Sequence, residues 1–324
     1  MNAYAGTNRC RGARATRSAP AWRPNDKLLA RIDQLLGGYR RVADEVLGQL
    51  TQAHYPELRQ RGDNEYRKMV ELSTKMILVG HACSEIAGFP FDRRRQELSA
   101  LYGGCCFLAD SFLDDFGEAV AAEYLDRFEI LLTKGWFPIR NEREQLLYVI
   151  LSRLFLNRDV LDPLLRQAIY SLFLAQKRDV SLRVDAPSFH SLSSRVRLRM
   201  LRECARDRSG HAILVLTRLL APELSLRRHH LLFLAGALVM YIDDHGDCYA
   251  DRRARRLTYM NGVRRPRAVL TNIFQRTMRR LRTGLPRNTG RDLLCGFLHR
   301  YFLTRIEKHR VEGRRGGLSW AVYE

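Results

Sequence analysis

The chain has no uninterrupted apolar run near the roughly 18 residues that a membrane-crossing helix needs. Its best stretch, Leu231 to Ile242, stops at Asp243. There is no Cys-x-x-Cys pair among Cys10, Cys83, Cys105, Cys106, Cys204, Cys248 and Cys295. An odd count of thiols without close pairs gives no basis for a disulfide scaffold or a zinc–thiolate site. The cysteines are expected to be reduced and mostly buried as small apolar side chains. Met1 to Arg23 lacks the apolar core of a secretory signal. It holds Arg9, Arg11, Arg14, Arg17 and Arg23, with no acidic residue before Asp26. That composition fits a plain basic tail, expected over 1–25, and also has the look of an organelle transit peptide.

Acidic residues are scarce relative to basic ones. Lys plus Arg number 55 against 35 Asp plus Glu, a net charge of +20. Such an excess predicts anionic partners: nucleic acid, a membrane surface or a phosphorylated small molecule. Apolar residues make up 46%, which excludes a wholly disordered chain of these 324 residues and allows a sizeable core.

Strand alternation is scarce, and apolar residues recur instead at three- and four-residue spacing. Leu28, Leu29, Ile32, Leu35, Leu36, Tyr39, Val42, Val46 and Leu47 make one such stripe over 26–52. The same pattern predicts helices over 64–87, 92–115, 118–133, 142–156, 160–184, 188–220, 224–253, 265–281 and 289–311. Breaks fall at Pro56, Gly88-Phe89-Pro90, Gly117, Gly135-Trp136-Phe137-Pro138, Pro187, Pro222 and Pro286. The expectation is an all-α fold: one domain over 26–312, of about ten helices in a large bundle. Residues 313–324 would be a tail or a lid.

Two acidic clusters interrupt the most apolar helices. The first is Asp110, Asp114 and Asp115, after the uncharged run Leu98 to Ala109. Asp110 and Asp114, four apart, share one helix face. The second follows Leu231 to Ile242 and contains Asp243, Asp244, Asp247 and Asp251, with Arg252, Arg253, Arg255 and Arg256 directly after. Asp243, Asp247 and Asp251 read as one carboxylate per turn along one face. The plain alternative for either cluster is a solvated helix end. Buried like charges are costly without compensation by arginines or by a cation that takes hard oxygen ligands. If the two helices face each other, their carboxylates converge at one end of an apolar cavity. There they could hold Mg²⁺ and a diphosphate.

These motifs resemble the class I isoprenoid (terpenoid) synthase superfamily, either its terpene synthases or its squalene/phytoene synthase-like group. Asp110-Ser111-Phe112-Leu113-Asp114 is similar to that group's first motif, Asp-x-x-x-Asp, and has Ser111 where terpene synthases carry a second Asp. Asp243-Asp244-His245-Gly246-Asp247-Cys248-Tyr249-Ala250-Asp251 has the spacing of the terpene synthase second motif, with Asp in place of Ser and Glu. The resemblance covers roughly Asp26 to Val311. It implies a helical bundle around a central apolar cavity. It also implies a cofactor set of three Mg²⁺, held by Asp110, Asp114, Asp115, Asp243, Asp244, Asp247 and Asp251. An isoprenyl diphosphate would be ionised and its carbocation cyclised, with release of diphosphate. Coupling of two such diphosphates is the alternative within the family, and a basic helical nucleic-acid-binding protein is the rival from another class.

The resemblance further implies catalytic roles for Arg206 and Arg208, beside an expected helix break at Arg206–Gly210, and for the Arg300-Tyr301 pair. Arg202 and Arg252 would bind substrate. Helix geometry aims Gly103, Cys106 and Phe107 below Asp110, and Gly236, Val239 and Met240 below Asp243. The small residues would leave room for a long chain, or else allow close helix packing. Phe107, Phe112 or Tyr241 would stabilise a cation, or else are plain core. Arg305 and Lys308 lie near the face of Arg300-Tyr301. Arg314-Arg315 would belong to a lid or to a frayed end. His229-His230 and His245 have no metal-set spacing and read as structural or surface. The expected setting is cytoplasmic, with no specific nucleic acid and no transmembrane segment, and a homodimer is compatible with it.

Overall fold

The structure, a computed structural model, describes residues 22–60, 64–114, 118–155, 162–183, 187–254 and 256–315. Among these the chain is all α. The helices are α1 (Asp26–His54), α2 (Glu57–Gln60), α3 (Glu65–Ala87), α4 (Arg93–Asp114), α5 (Glu118–Lys134), α6 (Glu142–Phe155), α7 (Pro163–Arg183), α8 (Pro187–His190), α9 (Ser194–Leu220), α10 (Leu226–Arg253), α11 (Tyr259–Gly262), α12 (Pro266–Gly284) and α13 (Thr289–Arg315). Ten are long, and their bounds fall within a few residues of the periodic segments, except that the segment expected over 188–220 is divided into α8 and α9.

Local chemistry sets those bounds. Asn25 caps α1 by accepting from the Leu28 N–H at 2.9 Å, and Ser193 caps α9 through the Val196 N–H. Gly88 ends α3 in the left-handed region, at φ 90°, where a side chain would be strained. Pro266 opens α12 at the position where its missing N–H costs nothing. Arg218, 2% exposed, donates to the carbonyls of Pro222 and Leu224 and so ties the turn between α9 and α10. That turn lays α10 back along α9.

One contiguous apolar core joins α1, α3, α4, α6, α9, α10, α12 and α13. Helix α3 packs on α1, α4 and α13, and α10 packs on α9, α13 and α12. Glycine permits two close approaches of helix backbones. A Cβ at Gly103 would lie 2.4 Å from Ser73 Cα, so α4 presses against α3 there. A Cβ at Gly236 would lie 2.3 Å from the Ser209 carbonyl, where α10 presses against α9. No helix among the described residues is long and apolar enough to cross a membrane.

Two expectations are corrected. Helix α9 runs unbroken through Arg206–Gly210. Gly210 does not break it, because a ring fills the missing side-chain space: its Cβ position is 2.5 Å from Phe233. At the other end α13 continues through Arg315, so Arg314-Arg315 belongs to a helix and not to a tail. Residues 1–21 and 316–324 lie outside the described residues.

Candidate functional site

Helix α4 carries Asp110 near its C-terminal end, half-exposed. The Gln176 side chain of α7 donates to Asp110 at 3.3 Å, and Arg208 of α9 reaches it at 3.8 Å. The same Arg208 pairs with Asp179 of α7 at 3.0 Å. Ser111, one residue on, is turned 100° away and accepts from Arg143 of α6 while donating to the Leu108 carbonyl. Serine here therefore belongs to the α4–α6 contact. Asp115 and the side chain of Asp114 lie outside the described residues.

Across α9 stands the acidic stretch of α10, and its carboxylates divide between two faces. Asp243 accepts from Tyr301 and pairs with Arg305; Asp247 pairs with Lys308 and, at 3.5 Å, with Arg305. Gly246 lets this happen, since a Cβ there would lie 2.6 Å from Arg305 Cδ. Lys75 of α3 joins the same group. Burial and the Arg305 charge hold its ammonium below the ordinary lysine range, against the pull of Asp243. The Tyr301 phenol is driven up by burial and then by Asp243.

Asp244 faces the other way. No cation lies within ion-pair distance of its carboxylate among the described residues. Burial, then the charges of Asp243 and Asp251, hold it well above the usual carboxylate range, with Arg208 opposing. The expected single face, Asp243–Asp247–Asp251, is thus corrected. At 100° per residue, Asp251 is about 80° round from Asp243 but only about 20° from Asp244. Asp251 accordingly acts on Asp244, and the stretch has an α13-facing half and an α9-facing half.

Arg208 links Asp110 electrostatically to the acidic stretch of α10. It is paired to Asp110 of α4 and Asp179 of α7, and its charge is felt by Asp244 of α10. Below Asp110, Cys105, Cys106 and Phe107 stay partly exposed in mid-helix, and Val239 and Met240 do the same below Asp243. Burial, then Asp110, pushes the Cys105 thiol up to about 12, so it is neutral packing and not a nucleophile. Gly103 and Gly236 are occupied by helix packing. Phe112 stacks on Tyr124 at 4.6 Å within the core, and the Tyr241 hydroxyl donates to the Arg202 carbonyl.

The other predicted arginines are elsewhere. Arg206 is exposed and pairs with Asp207 beside it. Arg202 lies outward over the Tyr259 ring, 5.9 Å from its centroid. Arg252 donates to the Asn261 carbonyl at 2.9 Å. Arg300 pairs with Asp33 of α1, so of the Arg300-Tyr301 pair only Tyr301 reaches the acidic stretch. Adjacent residues on a helix point 100° apart, which forces that split. His245 is fully buried, stacked on His309 with ring centroids 4.2 Å apart, and is held neutral by burial, His309 and Arg267 at a pKa of about 3.

The residue reading missed Gln176, Asp179 and Lys75. Lys75 had a signal, as an isolated charge inside an apolar helical run. Gln176 and Asp179 had none, because their role comes from what α7 is packed against.

As the side chains stand, no three His, Cys, Asp or Glu among the described residues converge closely enough to hold a metal ion. The donor chemistry still divides into a set that fits one and a set that does not. Asp244 is a carboxylate crowded by two others and without a cation, where a hard divalent ion would relieve the repulsion. Asp251 and Asp179 supply further hard oxygens near it, and Asp110 is linked to them through Arg208. Asp243 and Asp247 are already neutralised by Arg305 and Lys308 and would have to release them. Comparisons of the chain with protein-family models, curated proteins and solved structures find no match.

Proposed function

We propose that this chain is a Mg²⁺-dependent class I isoprenoid synthase of the terpene synthase type. It ionises an allylic isoprenyl diphosphate and rearranges the resulting carbocation. The single observation that carries the reading is the position of Arg208, paired with Asp110 of α4 and acting on the uncompensated carboxylate Asp244 of α10. One guanidinium pairs with Asp110 and exerts its charge on Asp244, from stretches more than 130 residues apart in sequence, with half-buried apolar side chains in the turns below each.

In this reading Asp110, Asp244 and Asp251 hold the metal ions, with Asp179 beside them. Bound Mg²⁺ supplies charge that stabilises the departing diphosphate. Arg208 exchanges its carboxylate partners for diphosphate oxygens, which its planar fork can take in pairs. Arg305 and Lys308 turn from Asp243 and Asp247 towards the same anion, and Tyr301 donates its hydroxyl proton in a hydrogen bond. Phe107, Val239 and Met240 keep water from the chain that sheds the diphosphate.

The test mixes purified protein with geranyl, farnesyl and geranylgeranyl diphosphates plus Mg²⁺ and follows diphosphate release and hydrocarbon products. Release from at least one substrate, lost in Asp110→Asn and Asp244→Asn, is expected. A product with twice the substrate's carbons would move the chain to the coupling type. Folded protein that releases no diphosphate from any of the three would reject the reading.

A further inference from the structure

Between Arg252 and Arg291 the chain carries thirteen arginines and no aspartate or glutamate. The acidic site uses none of the stretch beyond Arg252. Helix α12 occupies its middle and is sharply two-sided. Leu270, Phe274, Met278 and Leu281 are buried against the core, while Arg276, Arg279 and Arg280 are exposed on the outside. Arg264, Arg265 and Arg267 are exposed at its start. None of these six makes an ion pair with a carboxylate among the described residues. Arg276 and Arg280 are four apart and repel each other, with no internal partner to offset it. A one-signed row along a helix of 19 residues, about 28 Å, presents a continuous positive face to an external anion of comparable extent.

We propose that the outer face of α12, with the loop that leads into it, docks this protein onto an anionic lipid membrane surface. Arginines on an amphipathic helix are drawn to the negative potential of such a surface. Exposed leucines within the basic stretch and on the neighbouring helix α13 favour lipid over nucleic acid. Leu257, 41% exposed, precedes α11, and Leu303, 53% exposed, follows Phe302, which stacks on Phe274 of α12 at 4.2 Å. A phosphodiester backbone offers these leucines nothing, whereas the acyl boundary of a bilayer accepts them. The surface uses none of the carboxylates of α4 and α10, so docking does not depend on the chemistry proposed for them.

The experiment sediments the purified full chain with vesicles of pure phosphatidylcholine and with vesicles containing about 30 mol% phosphatidylserine. It is run at about 0.1 M and about 0.5 M salt. Binding only to the anionic vesicles, weakened by salt, is expected. The triple variant Arg276→Glu, Arg279→Glu, Arg280→Glu should lose roughly a hundredfold in affinity. The pair Leu257→Ser, Leu303→Ser should lose roughly threefold on vesicles while leaving any binding to single-stranded RNA unchanged. Circular dichroism checks the fold, and the same arginines changed to Gln serve if the triple Glu variant does not fold. Equal binding to both vesicle types, or anionic binding untouched by the arginine variants, would overturn the proposal. So would RNA bound more tightly than anionic vesicles at equal salt: that result assigns the face to nucleic acid.

Discussion

The two faces of the acidic stretch in α10 are built from neighbouring residues and meet opposite electrostatic conditions. On the α13 side, Asp243 and Asp247 are matched by Arg305, Lys308 and the Tyr301 hydroxyl. On the α9 side, Asp244 has neighbouring carboxylates and no ion-paired cation, and its proton affinity rises accordingly. Charge in this protein is therefore balanced face by face, not along the sequence. An excess of arginine elsewhere does nothing for Asp244, and that imbalance is what makes its side the place where an added cation would matter most.

The largest expected effect contrasts those faces by removing one charge from each. Asp243→Asn leaves Arg305 partly buried without its main partner and should cost about 2 kcal/mol in urea-unfolding free energy. Asp244→Asn removes repulsion and should leave the metal-free protein as stable as wild type, or more stable by up to about 1 kcal/mol. Equal destabilisation by both would erase the contrast.

Glycine substitutions come next. In Gly236→Ala the new methyl meets the rigid Ser209 carbonyl, so α9 and α10 must move apart, at about 1–2 kcal/mol by thermal unfolding. In Gly246→Ala it meets the Arg305 side chain, which can swing away at about 1 kcal/mol. A reversed order would mean that the α9 seam is the looser one.

The last prediction is a pH dependence at the other end of the α9–α10 seam. Burial, then the charge of Arg218, lowers the His229 pKa from its ordinary 6.5 to about 4. Between those values the unfolded chain binds a proton that the folded one does not, so stability falls as pH drops from 6.5 towards 4 and levels off below. His229→Gln should flatten that slope, as read by melting temperature across the window.

Most of the helical architecture was legible, because a buried stripe at 3.6-residue spacing needs no knowledge of its partner. The α1 stripe from Leu28 to Leu47 and the apolar run of α10 before Asp243 both lie where their patterns put them. The acidic clusters were legible as anomalies, since carboxylates at the ends of apolar helices require explanation. Their division was not. Spacing places Asp251 near Asp244 in azimuth, but only the packing of α13 and α9 decides which side receives cations. Arg300 shows the same limit: its neighbour Tyr301 reaches Asp243, while Arg300 itself turns to Asp33 of α1. Gly210 is a breaker by type and a packing residue in fact, because Phe233 of α10 fills its space.

The central claim is that carboxylates from α4 and the α9-facing half of α10 bind a divalent cation together. Titration with Mn²⁺, followed by its electron paramagnetic resonance signal, tests this without any substrate. Saturable binding by the wild type is predicted, weakened roughly tenfold or more in both Asp110→Asn and Asp244→Asn and less in Asp247→Asn. No saturable binding, or binding indifferent to Asp110 and Asp244, would contradict it.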